Sequence, residues 1–368
     1  MKVLLDARPT LGGTHRSTME LLLALEETLP EGGLRTFGRR AGGSAPRSHP
    51  GPARRTSRVL GGWLKRIATD QVALPVAARR HADLLHAPAG LLPLALAVPA
   101  VATVNDLTLW RRPSTKKRSP MTWYERWGAR RCLSHARRIV VPSDAVAAEL
   151  VRLPGVAPER VVRIYPMLPA LEQAGDAPLP DAARGRYVLS VGTLEPRKNL
   201  DRLLEAHRLA WPRVRQPLLL VGAYGWRQGA LLARVRASEG RVRWLGRVDD
   251  ATLALLYRRA TAVVQVSLEE GFDYPVAEAL SLGAPVVLSD LPVHREVAGE
   301  EGLYAPAEEP GRIAARLEEA AAWTPERRAA HAAAGRAQIV RLRSVSSVAD
   351  YLRVYREALA PACDAARR

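Results

Sequence analysis

The chain has 368 residues, 47% of them hydrophobic, with 55 Lys+Arg against 37 Asp+Glu and a formal net charge of +18. That length suits two domains, and the apolar content supplies two cores and excludes a disordered chain. No apolar run reaches membrane-spanning length. Two distant cysteines, Cys132 and Cys363, exclude a disulfide framework, and eight histidines without ligand spacing exclude a zinc motif.

The opening MKVLLDARPT reads as a strand over Val3–Asp6 and lacks the apolar core and cleavage site of a signal peptide, so a cytoplasmic protein is expected. Gly12-Gly13 then leads to a helix over Ser17–Leu29. Gly38–Gly62, rich in Gly, Pro, Ser and Arg, reads as a long surface loop. From Arg35 to Arg66 there are nine basic residues and no acidic ones. Residues 1–168 hold 27 basic and 12 acidic residues, the remainder 28 and 25. An Arg-rich composition explains the total but not this asymmetry. An anionic lipid surface, nucleic acid or an acidic acceptor would each suit the basic half. No nucleic-acid recognition motif accompanies it, so no specific nucleic-acid partner is expected.

Strands follow at Leu84–His86, Ala100–Val104, Ile139–Val141 and Val161–Ile164, with helices at Met121–His135 and Asp144–Leu153. Met121–Arg138 sets Trp123, Tyr124 and Trp127 among Arg126, Arg130, Arg131, Arg137 and Arg138. Rings beside a basic face suit a membrane interface, but helical spacing more often turns them to the core, which is the expectation here. Residues 169–184, PALEQAGDAPLPDAAR, have a linker's composition. Strand–helix units repeat from Tyr187 to about Tyr304. Helices at Gly311–Ala322, Pro325–Arg341 and Val345–Leu359 close the chain. Alternating strands and helices predict α/β architecture with parallel sheets.

Two segments carry the chemistry. In Glu269–Ala284, EEGFDYPVAEALSLGA, Glu270 and Glu278 stand eight residues apart across a Gly-Phe-Asp-Tyr-Pro turn. Pro275 suits a first helical position, which predicts Glu270 on the loop leaving a strand and Glu278 in the next helix's first turn. In an open parallel sheet, ligands bind in that crevice. Each carboxylate can accept from a pair of hydroxyls, as a ribose or sugar ring presents them. The plain alternatives are a helix-dipole partner for Glu278 and a solvated charge for Glu270. In the second segment, the strand Tyr187–Val191 leads through Gly192-Thr193-Leu194-Glu195-Pro196-Arg197-Lys198-Asn199 to a helix over Leu200–Ala210. Arg197 and Lys198 then stand at a helix N-terminus, where the dipole disfavours cations. A bound pyrophosphate would account for them, and a solvated cation pair is the alternative.

With these segments, the chain resembles the retaining glycosyltransferases of the group 1 (family 4) class, of GT-B fold and mannosyltransferase-like. The matching stretches run in order: Gly12-Gly13 with Arg16, DLLHAP (83–88), VATVNDL (101–107), VGTLEPRKNL (191–200), LVGAYGW (220–226), WLGRVDD (244–250), the two-glutamate segment and SDLPVHREVAG (289–299). The resemblance implies two Rossmann-like domains facing across a cleft. Residues 1–168 would bind the acceptor, 169–184 link the domains, 185–344 bind the nucleotide sugar, and 345–368 cross back to the first domain. It implies that Arg197 and Lys198 hold the donor's diphosphate, Glu278 the ribose and Glu270 the transferred sugar. Backbone N–H groups of Gly271, Phe272 and Asp273 would face sugar or phosphate, Arg247–Val248 would border the base, and Gly12 and Gly13 would let their loop approach the donor.

The implied reaction moves a hexose, mannose being one candidate, from a GDP- or UDP-linked donor to a hydroxyl of a glycan or lipid-linked acceptor. Anomeric configuration is retained and no metal is required. Such transfer would serve polysaccharide, cell-envelope or glycolipid synthesis at the inner face of a membrane. Asn105 stands where many relatives carry histidine, and Asp273 where they carry glycine. Asn105 can donate and accept hydrogen bonds but cannot hold a positive charge. A nucleotide-sugar-binding protein with weak or no transfer is therefore the alternative. His294 is expected to be structural or peripheral.

Overall fold

The computed structural model describes the chain except residues 9–12, 39–58, 113–118, 169, 174, 176, 226–228 and 362–368. Its framework is two six-stranded parallel sheets. The first is built from β1 (Val3–Asp6), β2 (Leu34–Phe37), β3 (Leu84–Ala87), β4 (Ala100–Thr103), β5 (Arg138–Val141) and β6 (Val161–Arg163), in the order β2-β1-β3-β4-β5-β6. Its helices are α1 (Gly13–Thr28), α2 (Val59–Ala68), α3 (Leu74–His81), α4 (Thr108–Arg111), α5 (Pro120–His135) and α6 (Asp144–Leu150).

The second sheet contains β7 (Val188–Val191), β8 (Leu218–Val221), β9 (Val242–Gly246), β10 (Ala262–Gln265), β11 (Val286–Ser289) and β12 (Gly302–Ala305), in the order β12-β11-β10-β7-β8-β9. It carries α7 (Leu200–Val214), α8 (Gly229–Arg236), α9 (Asp250–Arg259), α10 (Tyr274–Ser281), α11 (Pro292–Ala298), α12 (Pro310–Ala321) and α13 (Pro325–Ser344). The last helix, α14 (Val348–Leu359), returns to the first sheet. Its Tyr351, Val354, Tyr355 and Ala358 join Val3, Leu5, Leu22 and Val140 in one buried cluster.

The strands form where Val, Leu, Ile and Ala run together, because a parallel sheet is covered on both faces. Strands β8, β10 and β11 are buried at every position. Two apolar clusters sandwich each sheet: Leu189, Val263, Val286 and Leu288 point to one face of the second, and Val188, Val264, Val287 and Leu218 to the other.

Two sequence expectations need correction, and strand β2 and helices α2, α3 and α4 were not foreseen. The expected surface loop over 38–62 is helical from Val59 onward, and most of it lies outside the described residues. Residues 169–184, between the two sheets, hold single 3-10 turns at Leu171–Gln173 and Asp181–Ala183, and Leu171 and Ala183 are buried in the second core. On α5, Trp123 does not face the core; it is 74% exposed, while Tyr124 and Trp127 are half-buried.

Candidate functional site

The second sheet reverses its order between β7 and β10: the chain leaves β7 outward to β8 and β9, then crosses to β10 on the other side. Loops leaving two such neighbours diverge and open a crevice at their carboxyl ends. Here they are the 192–199 and 266–273 loops, so the topology brings together the two segments singled out in the sequence. The backbone ties them: Leu268 N–H donates to the Arg197 carbonyl at 2.9 Å, and Asn199 Nδ2 donates to the Val266 carbonyl at 3.0 Å.

Arg197 and Lys198 lie in a 3-10 turn, Pro196–Lys198, ahead of α7 rather than in its first turn. Both converge on Glu270. Arg197 Nη1 stands 2.6 Å from one Glu270 oxygen and Lys198 Nζ 2.8 Å from the other. Arg197 also pairs with Glu195 at 2.8 Å and donates to the Glu269 carbonyl at 2.7 Å. Glu270 is thus no solvated charge; its side chain is 7% exposed. Burial would raise its pKa, but Arg197 and Lys198 prevail and hold it well below the usual carboxylate range. Burial opposes charge on Arg197, and Glu270, Glu195 and Asp106 outweigh it, raising its pKa. The cations therefore have a partner within the protein, which the sequence reading did not foresee.

Glu278 sits at the fifth position of α10, beyond the first turn where it was expected, and Pro275 lies in that turn. It is buried, with Tyr257 Oη donating to Oε2 at 2.9 Å. Its other oxygen pairs with Arg16 Nη1 at 2.9 Å, and Arg16 belongs to α1 of the first domain. Arg16 also reaches Asp250 at 3.1 Å. Burial raises the Glu278 pKa, with Arg16 and Tyr257 opposing.

The first domain meets this crevice closely. A Cβ on residue 271 would run into the Asn105 carbonyl oxygen, so only glycine allows the approach. Ser143 Oγ donates to the Gly271 carbonyl at 2.7 Å. The Asn105 side chain is turned by its Nδ2, which donates to the Pro88 carbonyl at 2.7 Å. Phe272 points into the core against Tyr165 and Tyr274. Asp273 is buried and left-handed at φ 63°. Val248 follows β9, two strands from the switch point, and packs on the core. Gly13 opens α1, and Gly12 lies outside the described residues.

Sequence reasoning missed Glu195, Asp106, Tyr257 and the weight of Arg16 and His294. The signal for His294 was the non-glycine at 273, a position whose backbone glycine would favour. No signal in the sequence pointed to Tyr257. Among the described residues no cluster of His, Cys, Asp and Glu is arranged to hold a metal ion.

The arrangement is that of a GT-B protein: two facing parallel sheets with a charged crevice at the strand ends. Known structures share it. Sucrose-phosphate synthase from Thermosynechococcus elongatus aligns with a TM-score of 0.68 at 19% identity over 97% of this chain and 99% of that one. Anabaena HepE, solved in complex with UDP and glucose, aligns at 0.66 and 17% over 96% and 99%. Residues 11–169 match the description Glycosyltransferase Family 4, and 185–322 match Glycosyl transferases group 1. The chain belongs to the group 1 glycosyltransferases and is mannosyltransferase-like. The O-antigen chain mannosyltransferase B of Escherichia coli is 32% identical over 59% of this chain and 60% of its own length. The serotype-specific mannosyltransferase WbdA of Escherichia coli is 35% identical over 38% of this chain. The match spans 60% of the first relative and 17% of the second.

Proposed function

We propose that the protein transfers a hexose, with mannose the first to test, from a nucleoside diphosphate sugar to an acceptor hydroxyl with retention of configuration. The observation that carries this is the meeting of Arg197, Lys198 and Glu270 at the switch point, opposite Asn105 and Asp106. A departing nucleoside diphosphate gains negative charge on its β-phosphate. Arg197 and Lys198 are preorganised cations for that charge, so no metal is required in this reading. Glu270 then turns its oxygens to the sugar's hydroxyls, and Glu278 with Tyr257 takes the ribose. The sugar becomes oxocarbenium-like, and the acceptor hydroxyl enters from the leaving group's face, its proton passing to the departing phosphate oxygen. The first domain supplies the acceptor side, and the cleft opens about the 169–184 segment.

The names of the sequence relatives favour mannose and an O-antigen or lipid-linked acceptor. HepE was solved with UDP-glucose, so UDP donors stand beside GDP donors in the test. A thermal-shift screen of GDP-, UDP- and ADP-sugars, followed by transfer assays with NMR of the product anomer, decides the reading. Stabilisation by one donor class, with turnover and a retained anomer, is expected. An inverted product would overturn retention. Glu278→Ala should weaken the donor by a few kcal/mol, since a buried acceptor pair is lost; unchanged affinity would remove Glu278 from the site.

The second reading, donor binding with little transfer, rests on Asn105, whose amide is committed to Pro88. Tight donor binding without turnover over hours would favour it.

The basic first domain suits an anionic membrane at the inner face. Exposed Trp123 and the exposed Arg126 and Arg130 lie along one side of α5. No helix among the described residues is long and apolar enough to cross a bilayer. Vesicles with anionic lipid should bind the protein at low salt, and Trp123→Ser should weaken that binding.

A further inference from the structure

Behind the cations lies a buried pair that the proposed chemistry does not use. Asp273 has a side chain with no exposed surface, held in the left-handed backbone region that a non-glycine residue adopts at a cost of about 1 kcal/mol or more. Its two oxygens are divided. Oδ1 faces Lys198 Nζ at 3.4 Å, and Oδ2 faces His294 Nε2 at 3.1 Å. His294 is fully buried on α11, and its Nδ1 lies 2.8 Å from the Ser289 carbonyl. Ser289 Oγ also lies 3.2 Å from Nδ1, so both ring nitrogens are engaged and the imidazole is held against Asp273. Ser289 Oγ continues the chain, donating to the Ser267 carbonyl at 2.7 Å. The stem of Lys198 packs over Gly192, where a Cβ would lie 3.0 Å from Cε. Lys198 is fixed from both ends.

This arrangement answers a difficulty in the proposed function, on which the inference rests. In the structure Glu270 balances both Arg197 and Lys198. Once it turns to a sugar, Lys198 loses its nearest carboxylate inside a buried site. We propose that Asp273, clamped by His294, is the positioning residue of Lys198 and holds its ammonium at the phosphate position while Glu270 serves the sugar. The groups facing Lys198 are Asp273 and Glu270 from the β10 loop and Arg197 from its own turn, with His294 behind Asp273. Burial lowers the pKa of Lys198, but Asp273 and then Glu270 outweigh it and raise it above the ordinary lysine value. Glu278 and Tyr257 lie close enough to feel the Asp273 charge.

The chain offers a direct test, because it contains five lysines: Lys2, Lys65, Lys116, Lys117 and Lys198. Lysine labelled with 13C at Cε gives five signals, and Lys198→Arg assigns the one of interest. In the wild type that signal should titrate at higher pH than the other four. Asp273→Asn keeps the size and tolerates the left-handed backbone. It should move the Lys198 titration down, and Asp273→Gly, which relieves the backbone, should do the same. Calorimetry with GDP, UDP and ADP is the second arm. Asp273→Asn should lose about tenfold in affinity at pH 7, roughly 1.4 kcal/mol, and more as pH rises. His294→Gln should fall between, its amide holding one side of Asp273. An unchanged Lys198 titration with unchanged affinity in Asp273→Asn would overturn the proposal. If the wild type binds none of GDP, UDP and ADP, the donor-site reading fails, and the lysine titration still decides whether Asp273 governs Lys198.

Discussion

Glu270 and Glu278 are both buried carboxylates paired with cations, yet their partners come from different places. Glu270 is balanced by Arg197 and Lys198 of the same domain, across two loops that the sheet topology holds together. Glu278 is balanced by Arg16 of the other domain. Removing one partner from a buried pair strands a charge, which costs about 3–5 kcal/mol. The Glu270 cluster should therefore survive separation of the domains, whereas the Glu278 pair should not. On the proposed reading, sugar and phosphate recognition would be built into one domain, and ribose recognition would be coupled to domain contact.

Arg197→Ala should break this comparison hardest. It leaves Glu270 with only Lys198 and, on the proposed reading, takes a cation from the diphosphate. Transfer should fall by about 10²–10³, the range for losing one preorganised group at developing charge. Donor affinity measured by calorimetry should fall with it, and the melting temperature should drop. A variant with wild-type transfer would show that the cations serve only to neutralise Glu270.

Much of the Glu270 cluster was legible in the chain. Cations placed before a helix, and a carboxylate just after a strand, carry their chemistry in local spacing. The switch point that joins them follows from strand–helix alternation. The Arg16–Glu278 pair was not legible, because 262 positions separate its members and only the fold sets α1 against α10. Asp273 was read as a departure from a Gly-Phe-Gly turn, and His294 was set aside as an isolated histidine. Their contact spans 21 positions and two elements, and it appears only once the buried surroundings of both are known. β2 escaped for a different reason: LRTF is an edge strand with no position fully buried, so its apolar pattern is weak.

Arg16→Ala sharpens the comparison from the other side. Burial already raises the pKa of Glu278, and Arg16 opposes that rise. Without Arg16 the carboxyl should hold its proton to higher pH. A protonated Glu278 accepts less well from a ribose diol, so donor affinity should fall as pH drops. The loss should grow as the pH is lowered, because the buried carboxylate that would take the ribose is then increasingly protonated. The same variant should bind a donor lacking the ribose 2′-hydroxyl with less change than the wild type shows. If the pH dependence of binding matches the wild type, Arg16 is an interdomain tether without a role at Glu278.

Glu269 offers the mildest test, because it meets Arg111, Arg112, Asp106 and Glu149 of the first domain only through longer-range electrostatics. Burial raises its pKa to about 6; Arg111 and Arg112 oppose, while Asp106 and Glu149 of the first domain add to the rise. A carboxyl with a raised folded-state pKa binds its proton more readily when folded. Between the ordinary carboxylate pKa and about 6 the folded protein therefore holds more protons than the unfolded chain, and stability falls as pH rises through that window. Above it the loss is complete, and below the ordinary value it is absent. Solvent and the neighbouring arginines screen this group, so the loss should be about 1 kcal/mol or less. Glu269→Gln should be more stable than the wild type at pH 7.5, and the gain should vanish near pH 4. Denaturant unfolding at both pH values checks this. An equal gain at both would assign the effect to packing at the seam, and the carboxylate facing Arg111 would then belong with the neutral contacts between the domains rather than with the two paired glutamates.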